Sequence, residues 1–190
     1  MSMKLILASA SPRRREIMKQ LFKDNFKIVE NCYEEDNTLD VKPSELVRIH
    51  AREKARSVDA EGIIIAADSV VALGDKAIGK PIDKQEAIEI LKKISGKEIN
   101  VYTGVTVKSS EAESTEVEKT IVKVKDLSEE EIKKYVDSGE PMDRAGAFAI
   151  DGKGAVFIEN INGCFYNVAG LPVHRLSIML QNLKINILDY

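Results

Sequence analysis

The sequence predicts one α/β domain over residues 1–190. Short apolar runs rich in β-branched residues alternate with amphipathic stretches of helical period, and no repeat, linker or low-complexity tract separates them. Of the 190 residues, 44% are hydrophobic, which is enough for one sizeable core. The net charge of −3 supplies no overall positive field that would attract nucleic acid or an anionic membrane, so any anion-binding site must be local.

The cysteines and the first apolar run indicate a cytoplasmic protein. Cys32 and Cys164 lie far apart in sequence and form no CxxC motif, so they suggest neither a disulfide framework nor a zinc site. The stretch "MKLILASASP" has too few apolar residues for a secretion signal or a membrane span. We therefore expect a soluble protein with reduced thiols and no membrane partner.

The first third of the chain predicts two strands and two helices. "KLILAS" is a short apolar run that we interpret as a buried first strand. Ser11 and Pro12 then open a helix that continues to about Phe22, because a serine side chain can cap the free amides and proline suits the first helical position. "FKIVENCYEED" predicts a second strand that enters an acidic loop, and "SELVRIHAREKARSV" predicts a helix with an apolar stripe.

The middle of the chain contains the strongest strand signal. "GIIIAADSVVAL" has an apolar β-branched run, so it predicts a central strand covered on both faces, which ends at Asp68. Two predicted helices, "DKQEAIEILKKISG" and "EEEIKKYVDSG", begin with capping boxes. The boxes pair Asp83 with Glu86 and Ser128 with Glu131. "NVYTGVTVKSS" and "STEVEKTIVKVKDLS" predict two strands, and "PVHRLSIMLQNL" predicts a closing amphipathic helix.

Three cations stand at the start of the predicted first helix. Arg13, Arg14 and Arg15 occupy its first turn, where the helix dipole is already positive and favours acids. Ser11, Arg13 and Arg14 could converge with backbone amides on one phosphate, since the planar guanidinium binds two oxygens at once. The alternative is that the arginines reach from a surface turn toward scattered carboxylates. The stretch is not a Walker A motif, which needs GxxxxGK[ST].

Two groups of carboxylates are candidates for chemistry. Asp68 follows the apolar run "IIIAA" directly, at the end of a predicted buried strand, where open α/β sheets bind ligands. It could hold magnesium or activate water as a general base, or else bond the backbone of a following turn. Glu34, Glu35 and Asp36 could hold a hard cation, although a solvated acidic loop is the commoner outcome.

Weaker candidates lie elsewhere in the chain. Lys54, on an otherwise polar helix face, and Lys80, in "GKP", are residue types that more often occupy the surface without a special role. "DRAGAFAIDGKG" has small residues that let the backbone approach a flat ligand closely, and "GCFYNVAGLP" offers Asn167 as a fixed polar contact. Turn glycines in a meander of strands are the alternative for both stretches.

Together these stretches resemble the Maf family of nucleoside triphosphate pyrophosphatases. The resemblance rests on "ASASPRRREI", "REKA", "AADSVV", "GKP", "SGKEINVYTGV" and the block "GEPMDRAGAFAIDGKGAVFIENINGCFYNVAGLP", in that order and spacing, from Leu5 to about Leu180. It implies a mixed, elongated sheet with flanking helices and a two-lobed cleft, similar to the inosine triphosphate pyrophosphatases. It also implies hydrolysis of a nucleoside triphosphate to the monophosphate and pyrophosphate with magnesium, manganese or cobalt.

The resemblance also implies roles for particular residues. Those that would hold the triphosphate or neutralise its charge are Ser9, Ser11, Arg13, Arg14, Lys54 and Lys80. Asp68 would accept a proton from the attacking water, and Glu35 would hold the metal together with Asp68. Such a set is physically coherent, because phosphoanhydride hydrolysis depends on water positioning and charge neutralisation more than on covalent chemistry.

The substrate expected from the resemblance is dTTP, UTP or a modified pyrimidine nucleotide. The family's dTTP and UTP branch has arginine, threonine and glutamine at positions that here hold Arg13, Ser69 and Asp151. Asp151 has acceptors alone where glutamine has both donor and acceptor, so it leaves the 7-methyl-GTP branch open. A nucleotide-sensing regulator of cell division without useful turnover is the other function we considered. The resemblance also suggests a homodimer.

Overall fold

Strands and helices alternate along most of the chain, of which the computed structural model describes residues 4–190. The strands are β1 (Leu5–Leu7), β2 (Phe26–Ile28), β3 (Ile63–Leu73), β4 (Lys76–Ile78), β5 (Glu98–Lys108), β6 (Glu113–Val124) and β7 (Ile158–Asn162). The helices are α1 (Pro12–Phe22), α2 (Pro43–Arg56), α3 (Lys84–Ile94), α4 (Glu129–Asp137), α5 (Phe165–Val168) and α6 (Val173–Gln181). Short 3₁₀ turns lie at Glu140–Asp143, Ala145–Ala147, Lys153–Phe157 and Ile187–Asp189. Among residues 4–190, none of the helices has the length and apolar composition needed to span a bilayer.

The strands form one mixed sheet. Its order is β2-β1-β3-β5-β6-β7, and β4 pairs with the end of β3. β1 is parallel to β2 and to β3, whereas β3, β5, β6 and β7 follow one another in antiparallel pairs. The predicted α/β class, with a mixed sheet and flanking helices, is therefore confirmed.

β3 is longer than the sequence predicted. We expected it to end at Asp68, but it continues to Leu73 because its second half pairs with both β4 and β5. Asp68 therefore lies in the middle of β3, opposite Gly104 on β5. β1, by contrast, ends at Leu7, opposite Ile65. Beyond that point β3 runs past the end of β1, and this step in the sheet forms one side of a cleft.

Successive residues of the central strands pack on opposite faces of the sheet, as their backbone requires. Leu7 and Ile65 belong to the core beneath α1 and α6, which α3 and α4 extend along the same face. Ile64 instead packs with Ala55 of α2. Each fully buried Leu or Ile side chain contributes roughly 1.5–3 kcal/mol. The alternation places Asp68 on the α2 face, while the next residue along β3 faces α1.

α2 lies close against the sheet at Gly104. A Cβ at this position would collide with the backbone carbonyl of Val47, so glycine is what permits the approach. Val47, Ala51 and Ala55 are fully buried, as the predicted apolar stripe requires. The approach also buries Lys54 against the sheet, and our prediction that Lys54 lies on a polar face was wrong.

Two helix starts test the predicted capping boxes. Ser128 and Glu131 form the complete box at the start of α4. Asp83 accepts a hydrogen bond from the backbone N–H of Glu86 at 2.8 Å, but Glu86 Oε2 accepts from the N–H of Ile82. The box at α3 is therefore half formed, because Glu86 bonds Ile82, the residue before the cap, and not the cap itself.

Candidate active site

A cleft of about 480 Å³ opens at the carboxyl end of β1, between the start of α1 and the C-terminal block 139–172. The cations that line it are Arg13, Arg14, Lys54, Lys80 and Arg144, and the acids are Glu35, Asp68 and Asp151. Because the whole chain carries a net charge of −3, this local excess of cations is typical of a site for a polyanion. The volume is in the range of small-molecule and cofactor sites.

Every residue to which the family resemblance gave a role lies along this cleft. They are Ser9, Ser11, Arg13, Arg14, Glu35, Lys54, Asp68, Ser69, Lys80 and Asp151. They come from the turn into α1, the loop after β2, α2, β3, the segment after β4 and the C-terminal block. The structure brings the predicted set together, while the chemical roles of its members stay predictions.

Lys54 bridges two carboxylates at one end of the cleft. Its Nζ lies 2.6 Å from Asp68 Oδ1 and 2.5 Å from Glu35 Oε1. The side chains of Lys54 and Asp68 are 8% and 10% exposed, so little water compensates their charges. One ammonium group therefore orients both carboxylates toward a common point.

Glu35 is held in its ionised form. Burial raises the pKa of this carboxyl group, but the attraction and hydrogen bond of Lys54 outweigh burial and bring the pKa of Glu35 below its ordinary value. Of the acidic cluster predicted after the second strand, Glu35 lines the cleft, whereas Glu34 and Asp36 do not. The cluster as a whole is therefore not the metal site that the sequence allowed.

Arg14 is fixed by a directional chain of hydrogen bonds on the other face of the sheet. Its Nε donates to the carbonyl of Gly170 at 2.7 Å, and its Nη2 donates to Ser69 Oγ at 2.9 Å. Ser69 Oγ lies 2.8 Å from Thr103 Oγ1, which donates to the carbonyl of Asn167 at 3.1 Å. Because the single hydroxyl hydrogen of Thr103 is used there, Ser69 is the donor to Thr103.

The surroundings of Arg14 favour an anionic ligand. Burial lowers the pKa of Arg14, and the attraction of Asp68 and Glu35 opposes that shift. Among the side chains that the structure describes, no carboxylate lies at ion-pair distance from its guanidinium, which bonds neutral oxygens instead. A buried charge without a counter-charge is costly, so binding an anion here is favourable.

Arg13 forms an ion pair with Asp151 that joins the start of α1 to the C-terminal block. Arg13 Nε also lies 3.7 Å from Glu16 Oε2. Burial and the repulsion of Arg144 lower the pKa of Arg13, while Glu16 opposes the shift. Two of the three residues that the resemblance connects with base preference are thus in contact. The third, Ser69, orients Arg14.

The turn into α1 differs from our prediction in its capping. The Ser11 side chain makes no capping hydrogen bond. Ser11 lines the cleft instead, and its backbone N–H donates to Ser9 Oγ at 3.2 Å. Arg15 does not line the cleft and pairs with Glu30 at 3.2 Å. Two of the three arginines at the start of the helix therefore face the ligand site.

Asn167, predicted as a fixed polar contact for a ligand, does not line the cleft. It is fully buried, and its Nδ2 donates to the carbonyl of Val101 and to Thr120 Oγ1, both at 3.0 Å. Its backbone carbonyl accepts from Thr103 and ends the chain that begins at Arg14. The residue therefore supports the site from beneath.

Three polar or aromatic side chains that the sequence analysis did not single out also line the cleft. They are Asn31, Arg144 and Phe148. Asn31 Nδ2 donates to the carbonyl of Ala8 at 3.3 Å and so ties the loop after β2 to the end of β1. Arg144 and Phe148 flank the small residues of "DRAGAF". A cation and a flat ring beside small residues match the phosphate and the base of a nucleotide, and this signal was available in the sequence.

Glu35 and Asp68 are the candidates for holding a divalent cation. Among the acidic, histidine and cysteine side chains that the structure describes, no three are grouped as a metal site. The two carboxylates nevertheless converge on one cation, Lys54 Nζ. Mg²⁺ is commonly held by one or two carboxylates plus substrate phosphates. The donor set therefore fits a metal that binds together with a phosphate ligand.

Replacing Thr103 by valine tests the chain that holds Arg14. Thr103 is buried and does not line the cleft, so any effect on anion binding must pass through Ser69 and Arg14. We expect the affinity for inorganic tripolyphosphate, measured by calorimetry, to fall about fivefold, the equivalent of one hydrogen bond of about 1 kcal/mol. Thr106→Val is the matched control, since Thr106 is equally buried on β5 but bonds Thr115 Oγ1. Equal losses of affinity in the two variants would contradict the prediction.

The fold and the cleft define an α/β protein whose first strand leads into a helix start that presents two arginines to the cleft, without a Walker A sequence. Within that class, the family model of the Maf-like protein matches residues 4–183, and the chain belongs to the Maf family. The resemblance stated from the sequence is therefore confirmed.

The similar proteins span nearly the whole chain. A dTTP/UTP pyrophosphatase of Methanococcoides burtonii is 45% identical and is matched over 98% of this chain and 98% of its own length. A dTTP/UTP pyrophosphatase of Carboxydothermus hydrogenoformans is 48% identical over 92% of this chain and 95% of its own. Among solved structures, a HAM1 protein from Coxiella burnetii covers 64% of this chain and 73% of that chain, with 17% identity and a TM-score of 0.46.

Proposed function

We propose that this chain is a dTTP/UTP pyrophosphatase, which hydrolyses a nucleoside triphosphate with one water to the monophosphate and pyrophosphate. The observation that carries the proposal is the position of Asp68, which is buried and bonded to Lys54. It lies in the same cleft as Arg14, whose surroundings favour an anionic ligand. Relatives named dTTP/UTP pyrophosphatase, at 45% and 48% identity, support this activity.

Charge neutralisation is the task of the cleft's cations. Arg13 and Arg14 stand at the start of α1, whose free amides and dipole add to the attraction for phosphate. Lys54 lies across the cleft, and Lys80 lines it as well. A triphosphate carries roughly four negative charges. As the bond to the leaving pyrophosphate breaks, negative charge builds up on its oxygens, and these donors stabilise that charge.

Asp68 takes the proton of the attacking water in this mechanism. Its Oδ1 accepts the hydrogen bond from Lys54, and no hydrogen bond from the described side chains engages Oδ2. The second oxygen is therefore the one placed to accept from water. Because Lys54 also holds Glu35, the base keeps one orientation while the water is positioned.

A divalent cation, magnesium, manganese or cobalt, would be held by Glu35 and Asp68 together with phosphate oxygens. Bound there, the metal supplies charge stabilisation at the phosphoryl oxygens. All three ions accept oxygen ligands, so the donor set alone selects none of them. The Lys54 ammonium and a bound metal would therefore compete for the same two carboxylates.

Base selection is the finer part of the proposal. Asp151 lines the cleft and pairs with Arg13, so together they present hydrogen-bond acceptors and donors side by side. A uracil or thymine edge also has an N–H next to a carbonyl oxygen, which such a pair can meet from both sides. Ser69 is committed to Arg14 and Thr103 and supports phosphate binding instead.

The proposal is tested with a panel of dTTP, UTP, CTP, 5-methyl-UTP, ITP and 7-methyl-GTP, each with magnesium or manganese and with a chelator as the control. We expect monophosphate and pyrophosphate from dTTP and UTP, and no reaction with the chelator. Preferential turnover of 7-methyl-GTP would place the chain in the other branch. Binding without turnover of any nucleotide would instead support the nucleotide-sensing regulator.

Two further parts of the proposal stay predictions. A homodimer and a cytoplasmic location both come from the sequence analysis. Size-exclusion chromatography with light scattering decides the first, and imaging of the tagged protein in its own cell decides the second.

A further inference from the structure

We propose that Glu140 is a positioning residue for base selection, because its carboxylate anchors the segment 149–154 that presents Asp151 to the cleft. The inference rests on the proposed function, since base selection requires a nucleotide in this cleft. Glu140 itself does not line the cleft. Any effect of Glu140 on a nucleotide must therefore pass through the residues it holds.

The Glu140 carboxylate accepts hydrogen bonds from two consecutive backbone N–H groups. Its Oε1 accepts from the backbone N–H of Gly154 at 3.0 Å, and its Oε2 accepts from the N–H of Lys153 at 3.0 Å. Tyr135 Oη donates to Oε1 at 2.9 Å. The carboxylate thus uses three of its roughly four acceptor sites in this contact.

Tyr135 extends the anchor to the other end of the segment. Its Oη accepts from the backbone N–H of Ala149 at 3.1 Å while it donates to Glu140. One carboxylate and one phenol thus fix residues 149, 153 and 154, and Asp151 lies between these fixed points. Burial and the hydrogen bond to Glu140 raise the pKa of Tyr135, so the phenol stays a donor at neutral pH.

Two glycines of "DGKG" leave the space that Glu140 and Tyr135 occupy. A Cβ at Gly152 would lie 2.5 Å from the Glu140 carboxylate, and a Cβ at Gly154 would lie 2.6 Å from Tyr135 Oη. We expected these small residues to admit a flat ligand. The structure instead assigns Gly152 and Gly154 to the approach of Glu140 and Tyr135 from beneath the segment.

The anchor fixes the geometry of the Arg13 and Asp151 pair. Asp151 reaches Arg13 across the cleft from a segment whose hydrogen bonds to Glu140 and Tyr135 hold it on both sides. Burial opposes ionisation of Glu140, but the backbone N–H groups of Gly154 and Lys153 outweigh it and hold the pKa of Glu140 below its ordinary value. The anchor is therefore in its charged, accepting form at neutral pH. Asp68 and Lys54 lie on other elements, so the anchor leaves the hydrolytic groups in place.

The test replaces Glu140 by glutamine, which keeps the size but turns one acceptor into a donor facing a backbone N–H. We expect the ratio of kcat/KM for dTTP to that for dGTP to fall about tenfold through a higher KM for dTTP, while kcat changes less than threefold. Tyr135→Phe, which removes the bonds to Ala149 and Glu140, should shift the ratio in the same direction. Glu130→Gln on α4 is the matched control, because Glu130 is exposed and pairs with Lys134 away from the cleft.

A double-mutant cycle identifies the route of the effect. If Glu140 acts through Asp151, Glu140→Gln changes the ratio little in a chain that already carries Asp151→Asn. Equal effects in both backgrounds would overturn the inference. So would a uniform loss of kcat for every nucleotide with an unchanged ratio, which is what a purely structural role produces.

The outcome is separable from that of the proposed function. If the wild-type chain binds nucleotides without hydrolysing them, the ratio of dissociation constants for dTTP and dGTP, measured by calorimetry, replaces the kinetic ratio. An unchanged ratio in both Glu140→Gln and Tyr135→Phe then overturns the positioning role. A tenfold change supports the role, although the chain would be no pyrophosphatase.

Discussion

The Asp68→Asn variant is expected to lose about three orders of magnitude in kcat for dTTP. Removing a positioned general base typically costs 10²–10⁴-fold in rate. Asparagine keeps an oxygen that can accept the hydrogen bond of Lys54, so the bridge to Glu35 and the fold are retained. The expected signature is a melting temperature within a few degrees of the wild type and a pyrophosphate release rate near the background.

Two controls separate loss of the general base from loss of charge and from loss of metal binding. Asp59→Asn removes the same charge at an exposed position outside the cleft and should leave kcat unchanged. Titration of the Asp68→Asn variant with magnesium separates the two roles given to Asp68. Recovery of the rate at high magnesium would assign Asp68 to the metal alone, and an undiminished rate at ordinary magnesium would remove Asp68 from the mechanism.

The Lys54→Met variant is expected to lose about 2 to 3 kcal/mol of unfolding free energy at pH 7. Methionine fills the space of the lysine stem but leaves Asp68 and Glu35 facing each other without a counter-charge. Removing one partner of a buried ion pair costs about 3–5 kcal/mol, and the 40% exposure of Glu35 reduces that figure. Urea denaturation followed by circular dichroism measures the loss.

The pH dependence of that loss identifies its cause. In the wild type the pKa of Glu35 is lowered, so its contribution is present above the ordinary carboxyl value of 4.5 and is lost as the pH falls through the folded value. In Lys54→Met that contribution is absent, so the deficit relative to the wild type should shrink between pH 7 and pH 4. An equal deficit at both pH values would point to packing.

Two further variants test whether the loss of stability in Lys54→Met is electrostatic. Lys92→Met removes an exposed lysine that pairs with Glu129 on the surface and should change stability by less than about 0.5 kcal/mol. Adding Asp68→Asn to Lys54→Met removes one of the two uncompensated charges and should restore roughly half of the lost stability at pH 7. A further loss in the double variant would contradict the electrostatic explanation.

Local sequence signals predicted most of the elements but not the positions that depend on pairing. Pro12, the apolar stripe of α2 and the Ser128 capping box act within a few residues, so their outcomes followed from spacing. The end of β3 did not, because β4 and β5 extend the strand through partners later in the chain. Asp68 thus lies along the cleft for a reason that the sequence did not give, since the strand that ends there is β1 and not β3.

The burial of Lys54 shows a second limit of sequence reasoning. A lysine on a helix is ordinarily exposed, and nothing within α2 marks this one as different. Its burial depends on residues distant in sequence: Asp68 of β3 pairs with it, and Gly104 of β5 lets α2 approach the sheet at Val47. The three arginines were easier to interpret, because cations at a helix start conflict with the dipole and so require an explanation from local sequence alone.

The contact between Arg14 and Gly170 affects when, during its synthesis, the chain becomes able to bind a nucleotide. Its two partners are 156 residues apart, and the pair of Arg13 and Asp151 is almost as distant in sequence. During synthesis, a chain that has emerged through β3 already contains Asp68 and Lys54, yet it lacks the wall that orients both arginines. Since contacts between distant residues form late, nucleotide affinity is among the last properties that the growing chain acquires. A prematurely ended chain therefore carries the groups proposed for hydrolysis without the wall that holds the two arginines.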